Sequence, residues 1–293
     1  MEDVVAFRDH AQFHLTNLSK FTHRPDQIPV LRKTILNLAV RGKLVPQDPN
    51  DEAASELMKR IQTDRLGNDI IKSVKSLLST PMDEGIPYKS PKGWEWVCLQ
   101  DVFCSITDGD HLPPPKTENG VPFLVIGNVR KGVIDFSGCR HVSESYYSEL
   151  ASRRRPTNGD ILYTLVGSYG IPVLLVDDRP FCVQRHIGIL RPSSRIDAKF
   201  LARVLASGLV YEQATNCATG IAQKTVPLSG LRKIRVPLPP LAEQHRIVAK
   251  VDELMALCDR LEVQLATAQT ESRRLLESFL HQTLELALQE VQG

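Results

Sequence analysis

The sequence lacks the features of a membrane or secreted protein. No apolar run comes near the roughly 20 residues that a membrane-spanning helix needs, and Met1-Glu2-Asp3 is not the basic start of a secretory signal. Hydrophobic residues make up 42% of the 293 residues and charged residues 24%, a balance that allows a buried core and is atypical of disorder. We therefore expect a cytoplasmic protein with one globular core and a second element of different character.

The sequence also lacks a cysteine framework. Its cysteines are widely spaced, with no Cys-x-x-Cys pair and no neighbouring His pair at metal-ligand spacing. In a chain of this length without a secretory signal, we expect reduced thiols, each buried as a small structural side chain. No metal site and no cysteine nucleophile is predicted. The cysteines are Cys98, Cys104, Cys139, Cys182, Cys217 and Cys258.

The net charge is low, and its distribution is more informative than its sum. The formal charge is +2, from 36 Lys and Arg against 34 Asp and Glu. Residues 1–94 carry 14 basic and 12 acidic side chains, residues 95–235 carry 17 and 13, and residues 236–293 carry 5 and 9, so the centre is +4 and the tail is −4. A DNA-facing core beside solvated or protein-facing helices would have this distribution.

Turn residues divide the chain into helical and strand-rich parts. Apolar residues at helical spacing predict an amphipathic helix over 31–45 and a second helix through 55–61. Prolines and glycines over 80–93 are typical of a connector. From 94 to 237, short apolar runs between turn residues predict strands, interrupted by a helix over 198–205.

These patterns predict an α+β protein. One mixed α/β domain would be flanked by helical arms that form a long coiled-coil spacer. The predicted boundaries are 1–90 for an N-terminal helical arm and connector, 91–240 for the mixed domain, and 241–293 for a C-terminal coiled-coil helix.

The tail contains a heptad-like seam. Gly and Pro are absent from Ala242 until the last residue, and apolar side chains recur every three and four positions, with a break at Ser272. Such a stripe either packs on its own domain or contacts a partner helix, from the N-terminal arm or from another copy, and sustained heptads favour the partner. The seam consists of Ile247, Val251, Leu254, Cys258, Leu261, Leu265, Leu275 and Phe279.

Three long segments resemble a known family. The regions similar to the conserved regions of type I restriction-modification specificity subunits are the run 31–45 followed by PQDPNDEAASELMKRI at 46–61, PKGWEWVCL at 91–99, and VPLPPLAEQHRIVAKVDELMALCDRLE at 236–262. The resemblance implies a DNA target-recognition domain at 91–240, helices that set the spacing between two half-sites, and a docked adenine methyltransferase subunit. The usual family member has two recognition domains, and this chain has room for one.

The resemblance also implies the partners and the cofactor. The chain itself would bind no cofactor, since S-adenosylmethionine would belong to the methyltransferase subunit. Double-stranded DNA, that methyltransferase, and a second copy or another half-specificity subunit would be its partners. An ATP-dependent, translocating restriction subunit could join them, and no membrane is involved.

The loops of the central domain supply candidate DNA contacts. Sequence readout needs donors and acceptors on groove-entering loops, surrounded by cations for the phosphates. Each such loop could equally be a solvated turn, the two histidines could be satisfied polar groups, and the basic run 153–155 could face away from DNA. Trp94 and Trp96 are expected in the core. The candidates are His111, Lys116, Arg130, Lys131, Ser168, Tyr169, Gln184, Arg185, His186, Gln223 and Lys224.

Three other functions compete with DNA recognition. Asp197-Ala198-Lys199 fits the short Asp-x-Lys pattern of some metal-dependent nucleases, but it opens a predicted helix and lacks a placed acidic partner. A methyltransferase should have an Asn/Asp-Pro-Pro-aromatic loop and a Gly-rich cofactor turn, and neither is present. A structural adaptor would not need the loop-rich centre. A recognition module of another methyltransferase-based phage-defence or nuclease system is the remaining alternative. We expect a non-catalytic chain.

Overall fold

The computed structural model describes residues 22–66, 86–111, 114–130 and 132–292. Part of the predicted connector and Lys131 lie outside the described residues. The described strands are β1 (Glu95–Cys98), β2 (Phe103–Asp108), β3 (Val121–Leu124), β4 (Val129–Arg130), β5 (Val133–Ile134), β6 (Arg140–Val142), β7 (Ile161–Thr164), β8 (Pro172–Leu174), β9 (Cys182–Val183), β10 (Ile187–Pro192) and β11 (Arg235–Leu238). The described α-helices are α1 (Gln27–Val40), α2 (Ala54–Leu66), α3 (Leu99–Val102), α4 (Glu144–Glu149), α5 (Ala198–Leu205), α6 (Gly208–Cys217), α7 (Leu228–Lys233) and α8 (Leu241–Gln292).

The chain separates into two compact units. Among the described residues, 22–35 and 250–292 form the first unit, and Leu36–Ala249 form the second. The second unit contains all the described strands, in agreement with the predicted α+β class. The predicted boundaries at 90 and 240 remain predictions.

The second unit is built on small sheets that share a core. A four-stranded antiparallel sheet has the order β2-β10-β7-β8, and a three-stranded sheet has the order β6-β3-β9, in which β3 and β9 run parallel. Alternation along β3 directs Phe123 to one face and Leu124 to the other. The Leu124 face joins Leu162 and Ile189 of the larger sheet in the main core, while the Phe123 face packs with Val142 and Cys182.

The helix predicted over 198–205 is confirmed as α5. The side chain of Asp197 caps it by accepting hydrogen bonds from the backbone N–H groups of Lys199 (2.8 Å) and Phe200 (3.2 Å). Its apolar face, with Phe200 and Val204 buried, packs near β8. The Asp-x-Lys pattern at this point is therefore part of a helix N-terminus.

Three segments that are far apart in the sequence meet at Glu243. Its buried carboxylate accepts hydrogen bonds from Trp94 Nε1 (2.9 Å) and Gln47 Nε2 (3.0 Å). Burial raises the pKa of Glu243, and these two hydrogen bonds oppose that effect. Trp94 and Trp96 are buried, as expected for core residues. The contacts of Glu243 join the PQDP, GWEW and LAEQ segments, so the residues that carry the resemblance form one structural junction.

The first unit pairs α1 with α8. Arg32 Nη2 lies 2.7 Å from Asp259 Oδ1 and 2.8 Å from Glu262 Oε2. Ile28 and Ile35, four residues before and three after Arg32, are fully buried. Part of the partner expected for the tail is therefore the N-terminal helix of the same chain.

The seam of α8 changes from buried to exposed along the helix. The helix has 52 residues and continues through Ser272, which gives about 78 Å at 1.5 Å per residue. The first half of the seam is buried within the chain itself, so the alternative in which the whole seam faces a second copy is wrong for that half. Buried are Ile247, Val251, Leu254, Cys258 and Leu261; Leu265 is half-buried; Leu275 and Phe279 are exposed.

The cysteines are free thiols, but one expectation about them is wrong. Cys182 and Cys258 are buried, whereas Cys104 is exposed on β2, the outer strand of the larger sheet. Successive side chains of a strand point to opposite faces, and Phe103 beside Cys104 is buried, so Cys104 lies on the exposed face. Within the described ranges, no helix combines the length and hydrophobicity that crossing a membrane requires.

Candidate nucleic-acid interface

Several of the candidate loops leave the four-stranded sheet at the same end of its strands. In the antiparallel register, Asp108 at the end of β2 pairs with Gly188 near the start of β10. Gly188 also pairs with Tyr163 near the end of β7, and Tyr163 pairs with Pro172 at the start of β8. The loops that follow β2 and β7 and those that precede β8 and β10 therefore leave the sheet on the same side. We call this side, formed by residues 108–111, 163–172 and 184–188, the loop edge.

The segment after β2 lies directly against the turn before β10. The Asp110 N–H donates to the Val183 carbonyl (3.1 Å), and the Arg185 N–H donates to the Asp110 carbonyl (3.0 Å). A Cβ atom on Gly109 would lie 1.9 Å from the Val183 carbonyl oxygen, so only glycine permits this approach. These bonds hold His111 next to the turn that carries Gln184, Arg185 and His186.

The Asp110 side chain organises the loop. Its carboxylate accepts hydrogen bonds from the His111 N–H (2.8 Å), from Arg154 Nη1 (3.2 Å) and from the Tyr146 hydroxyl. The ring of His111 contacts Asp108 Oδ2 through Nε2 at 2.9 Å. Burial, followed by the hydrogen bond to Asp110, raises the pKa of Tyr146, so its hydroxyl stays protonated and donates.

The basic run 153–155 does not act as one patch. Arg153 is exposed, Arg154 pairs with Asp110, and the Arg155 guanidinium lies over the ring of Tyr147, 5.8 Å from its centroid. Only Arg154 is thereby tied to the loop edge.

The loop over 219–225 joins the loop edge through the residues that follow β7. The Gly167 N–H donates to the Lys224 carbonyl (3.0 Å), and the Val226 N–H donates to the Leu165 carbonyl (2.8 Å). Leu165 in turn donates its N–H to the His186 carbonyl (2.9 Å). Backbone hydrogen bonds therefore bring the Ser168, His186 and Gln223–Lys224 candidates together.

Tyr169 occupies a different position from the one predicted. It is buried, its hydroxyl donates to Thr215 Oγ1 (3.0 Å), and its ring stacks on that of Tyr211 at 5.6 Å between centroids. Its hydrogen-bonding group is satisfied inside the second unit, a position that serves packing. Ser168 is exposed.

The remaining candidates differ in location. A Cβ atom at Gly132 would lie 3.8 Å from the Pro172 carbonyl oxygen, so the β4–β5 hairpin that carries exposed Arg130 is beside the loop edge. Lys116 precedes Thr117, whose N–H donates to the His141 carbonyl (3.1 Å), which places Lys116 beside β6 of the other sheet.

The charges at the loop edge suit an anionic, hydrogen-bonding ligand. Arg130, Arg185 and Lys224 are exposed, and His186 is half-buried. Partial burial, together with the Arg185 cation, lowers the pKa of His186, so its imidazole is mainly uncharged at neutral pH and presents one donor and one acceptor. Cations beside neutral donors and acceptors match the two kinds of contact that duplex DNA offers, phosphates and base edges.

Sequence reasoning missed the residues that position the loop. Asp110, Tyr146 and Arg154 hold the segment after β2 through side-chain bonds across 36 and 44 residues of sequence. An acidic residue inside a loop of candidate DNA contacts was the available signal, because a carboxylate there needs a cationic or hydroxyl partner.

A family model matches the central and C-terminal parts of the chain. The model is described as the type I restriction modification DNA specificity domain and matches residues 91–268. The EcoEI specificity subunit of Escherichia coli is 33% identical over 273 residues, and the match covers 86% of this chain and 43% of that relative. The EcoAI specificity subunit of the same species is 31% identical, with 86% and 44% covered. The chain thus spans less than half the length of these curated relatives.

Two solved structures share the fold. The HsdS subunit from Thermoanaerobacter tengcongensis aligns with a TM-score of 0.50 at 24% identity, covering 78% of this chain and 55% of that one. A structure of a type I R-M system, reported for its complex assembly and conformational transition, aligns with a TM-score of 0.51 at 22% identity, covering 75% and 50%. At these identities the likeness concerns the fold.

Proposed function

The chain belongs to the family of type I restriction-modification DNA specificity subunits. From this premise we propose that it reads one half of a bipartite duplex DNA site, while partner subunits carry out methylation and cleavage. The methyltransferase partner would bind S-adenosylmethionine and methylate adenine, and an ATP-dependent, translocating nuclease subunit would join where a system contains one. This chain would supply recognition and spacing.

The observation that carries the proposal is the convergence of the candidate loops at the loop edge. Gln184, Arg185 and His186 precede β10, and His111 follows β2. The Gln223–Lys224 segment is bonded to the segment that follows β7. A DNA reader needs this combination, because cations position the protein on phosphates while amides and imidazoles distinguish base edges. We assign Arg130, Arg185 and Lys224 to phosphates.

A salt titration tests the assignment. The full chain first selects its target from a random duplex pool, and affinity for that target is then measured against salt concentration. Arg185→Gln, Lys224→Gln and Arg130→Gln should each flatten the log–log slope by about 0.9 for every phosphate that the variant no longer neutralises. Lys199→Gln is the matched control, since Lys199 is exposed near the start of α5, after the far end of β10.

Unchanged slopes and unchanged base preference in all three variants would show that the loop edge does not face DNA. A change of preferred base at one position, with a loss of about 1–3 kcal/mol there, would move that side chain from phosphate to base contact.

The second half-site would come from a second recognition domain. The family model matches residues 91–268 of this chain, which spans less than half the length of its curated relatives. The later part of the α8 seam, including Leu275, is exposed. We propose that two copies related by a two-fold axis present two recognition domains, which would read a palindrome interrupted by a spacer.

Light scattering and methylation mapping test this arrangement. Two copies in the complex with the methyltransferase, and an interrupted palindrome among the methylated sites, are the expected results. A complex with one copy, or a contiguous target, would overturn the pairing. An asymmetric interrupted site would replace the second copy with a different half-subunit.

A further inference from the structure

The loop over 219–225 presents an aliphatic side chain to water at its tip. Ile221 is fully exposed, at 105% of its reference area, and Gln223 and Lys224 beside it are also exposed. Single exposed apolar residues are common on protein surfaces and usually require no explanation. The geometry around this one is more specific.

The loop is held in one conformation by its backbone. Thr219 and Thr225 exchange both N–H···O hydrogen bonds, each at 2.8 Å. Gly220 adopts a φ of +94°, and a Cβ atom there would lie 2.5 Å from the Gln223 carbonyl oxygen. The tip is therefore a tight turn that only glycine allows. A loop that is already ordered loses little conformational entropy when it binds a ligand.

The loop is also anchored at the place where the proposed DNA contacts meet. Val166 pairs with Thr225, and the Gly167 N–H donates to the Lys224 carbonyl at 3.0 Å. A Cβ atom at Gly167 would be 3.4 Å from Gln223 Nε2. Ile221 thus extends from the loop edge, next to an amide and a cation.

We propose that Ile221 is a specificity-determining residue that packs against the 5-methyl group of a thymine in the major groove. An aliphatic side chain neither donates nor accepts hydrogen bonds, and the thymine methyl is the apolar feature that base pairs expose there. Gln223, two residues later, has the amide that pairs with an adenine edge. The inference rests on the proposed DNA-reading function and adds the class of base that this loop recognises.

Removing the methyl group from the DNA tests the contact directly. In the target selected by the full chain, each thymine is replaced in turn by uracil, which differs from thymine only in lacking that methyl. Wild-type affinity should fall about 4- to 15-fold at one position, the effect expected from losing one or two buried methyl-sized groups. Ile221→Ala should bind the unmodified target about 4- to 15-fold more weakly and lose all sensitivity to uracil at that position.

The control is Val176→Ala. Val176 is another exposed aliphatic residue, at 75%, and it follows β8 at the far end of that strand. This variant should keep both the affinity and the uracil sensitivity of the wild type. Ile221→Val, which keeps an aliphatic contact, should retain most of the sensitivity.

Three results would overturn the inference. In the first, Ile221→Ala keeps wild-type affinity and uracil sensitivity. In the second, it weakens binding equally at every DNA sequence, as the loss of a side chain wedged between base steps would. In the third, it affects only assembly with the methyltransferase. The proposed function is judged separately, because Arg185→Gln and Lys224→Gln would still weaken DNA binding if Ile221 alone were misassigned. If those cation variants also had no effect, the DNA-reading function itself would fail.

Discussion

Replacing Asp110 with alanine should loosen the loop edge without removing any proposed DNA contact. The carboxylate accepts hydrogen bonds from the His111 N–H, Arg154 Nη1 and the Tyr146 hydroxyl. The side chains of Asp110 and Arg154 are 15% and 28% exposed. The substitution therefore leaves a partly buried guanidinium and a hydroxyl without their acceptor.

The expected loss follows from these bonds. Hydrogen bonds to charged groups contribute about 1.5–3 kcal/mol each, and they are not additive within one network. Because water can reach part of Arg154, we expect a total loss of about 2–4 kcal/mol, or a Tm lowered by roughly 4–16 °C. The backbone bonds of Asp110 to Val183 and Arg185 remain. The loop should therefore become looser rather than detach, and DNA affinity should fall about tenfold, since about 1.4 kcal/mol of ordering would then be required on binding.

Thermal melting and DNA titration of the same preparations measure both effects. Asp110→Asn, which keeps an acceptor but loses the charge, should fall between alanine and wild type. Glu149→Ala, at an exposed carboxylate of α4, is the control and should change neither quantity. If Asp110→Ala melted and bound DNA like the wild type, the network would not be what holds the loop.

Three further predictions concern stability and spacing. Asp160→Asn should lower the free energy of unfolding by about 3–5 kcal/mol in denaturant titrations. The reason is that the Asp160 side chain is 2% exposed and pairs with Arg191 at the end of the sheet opposite the loop edge. The DNA affinity of the folded protein should not change. Burial raises the pKa of Glu243. The stability that its protonated carboxyl contributes is therefore fully present below the ordinary glutamate pKa and is lost as pH rises through the raised pKa. The urea midpoint of the wild type, measured relative to that of Glu243→Gln, should accordingly fall as pH rises. Inserting or deleting seven residues within 261–268 should change the permitted spacer while the half-site bases stay the same, as methylation mapping would show.

The sequence predicted best those strands and helices whose residue pattern is local. Short apolar runs between turn residues predicted strands such as β7 and β10, and the helix over 198–205 has the predicted bounds. Helices with a weak apolar stripe were missed. The helix α6 begins at Gly208 and buries only Val210 and Ala214, and α4 has six residues, fewer than the two turns over which a helical spacing can repeat.

The candidate site was predictable as a set of loops but not as a surface. Turn chemistry indicated the segments around His111, Gln184 and Gln223, each of which lies at or next to the loop edge. Their meeting depends on pairing β2 with β10, which are about 80 residues apart, and no local pattern encodes such a register. For the same reason, Tyr169 could not be recognised as a packed residue, since its partners Thr215 and Tyr211 are on a distant helix.

The pairing of β1 with β11 brings together the two ends of the region between them. Glu95 lies opposite Leu238, and Cys98 lies opposite Arg235, so the chain enters and leaves this region through two neighbouring strands. Opposed residues in an antiparallel pair are about 5 Å apart. A segment whose two ends are this close can be exchanged for another, even one of different length, provided that both bordering strands are kept. Recombination between related genes at these strands would therefore transfer the whole loop edge in one event and keep the pairing of the two bordering strands.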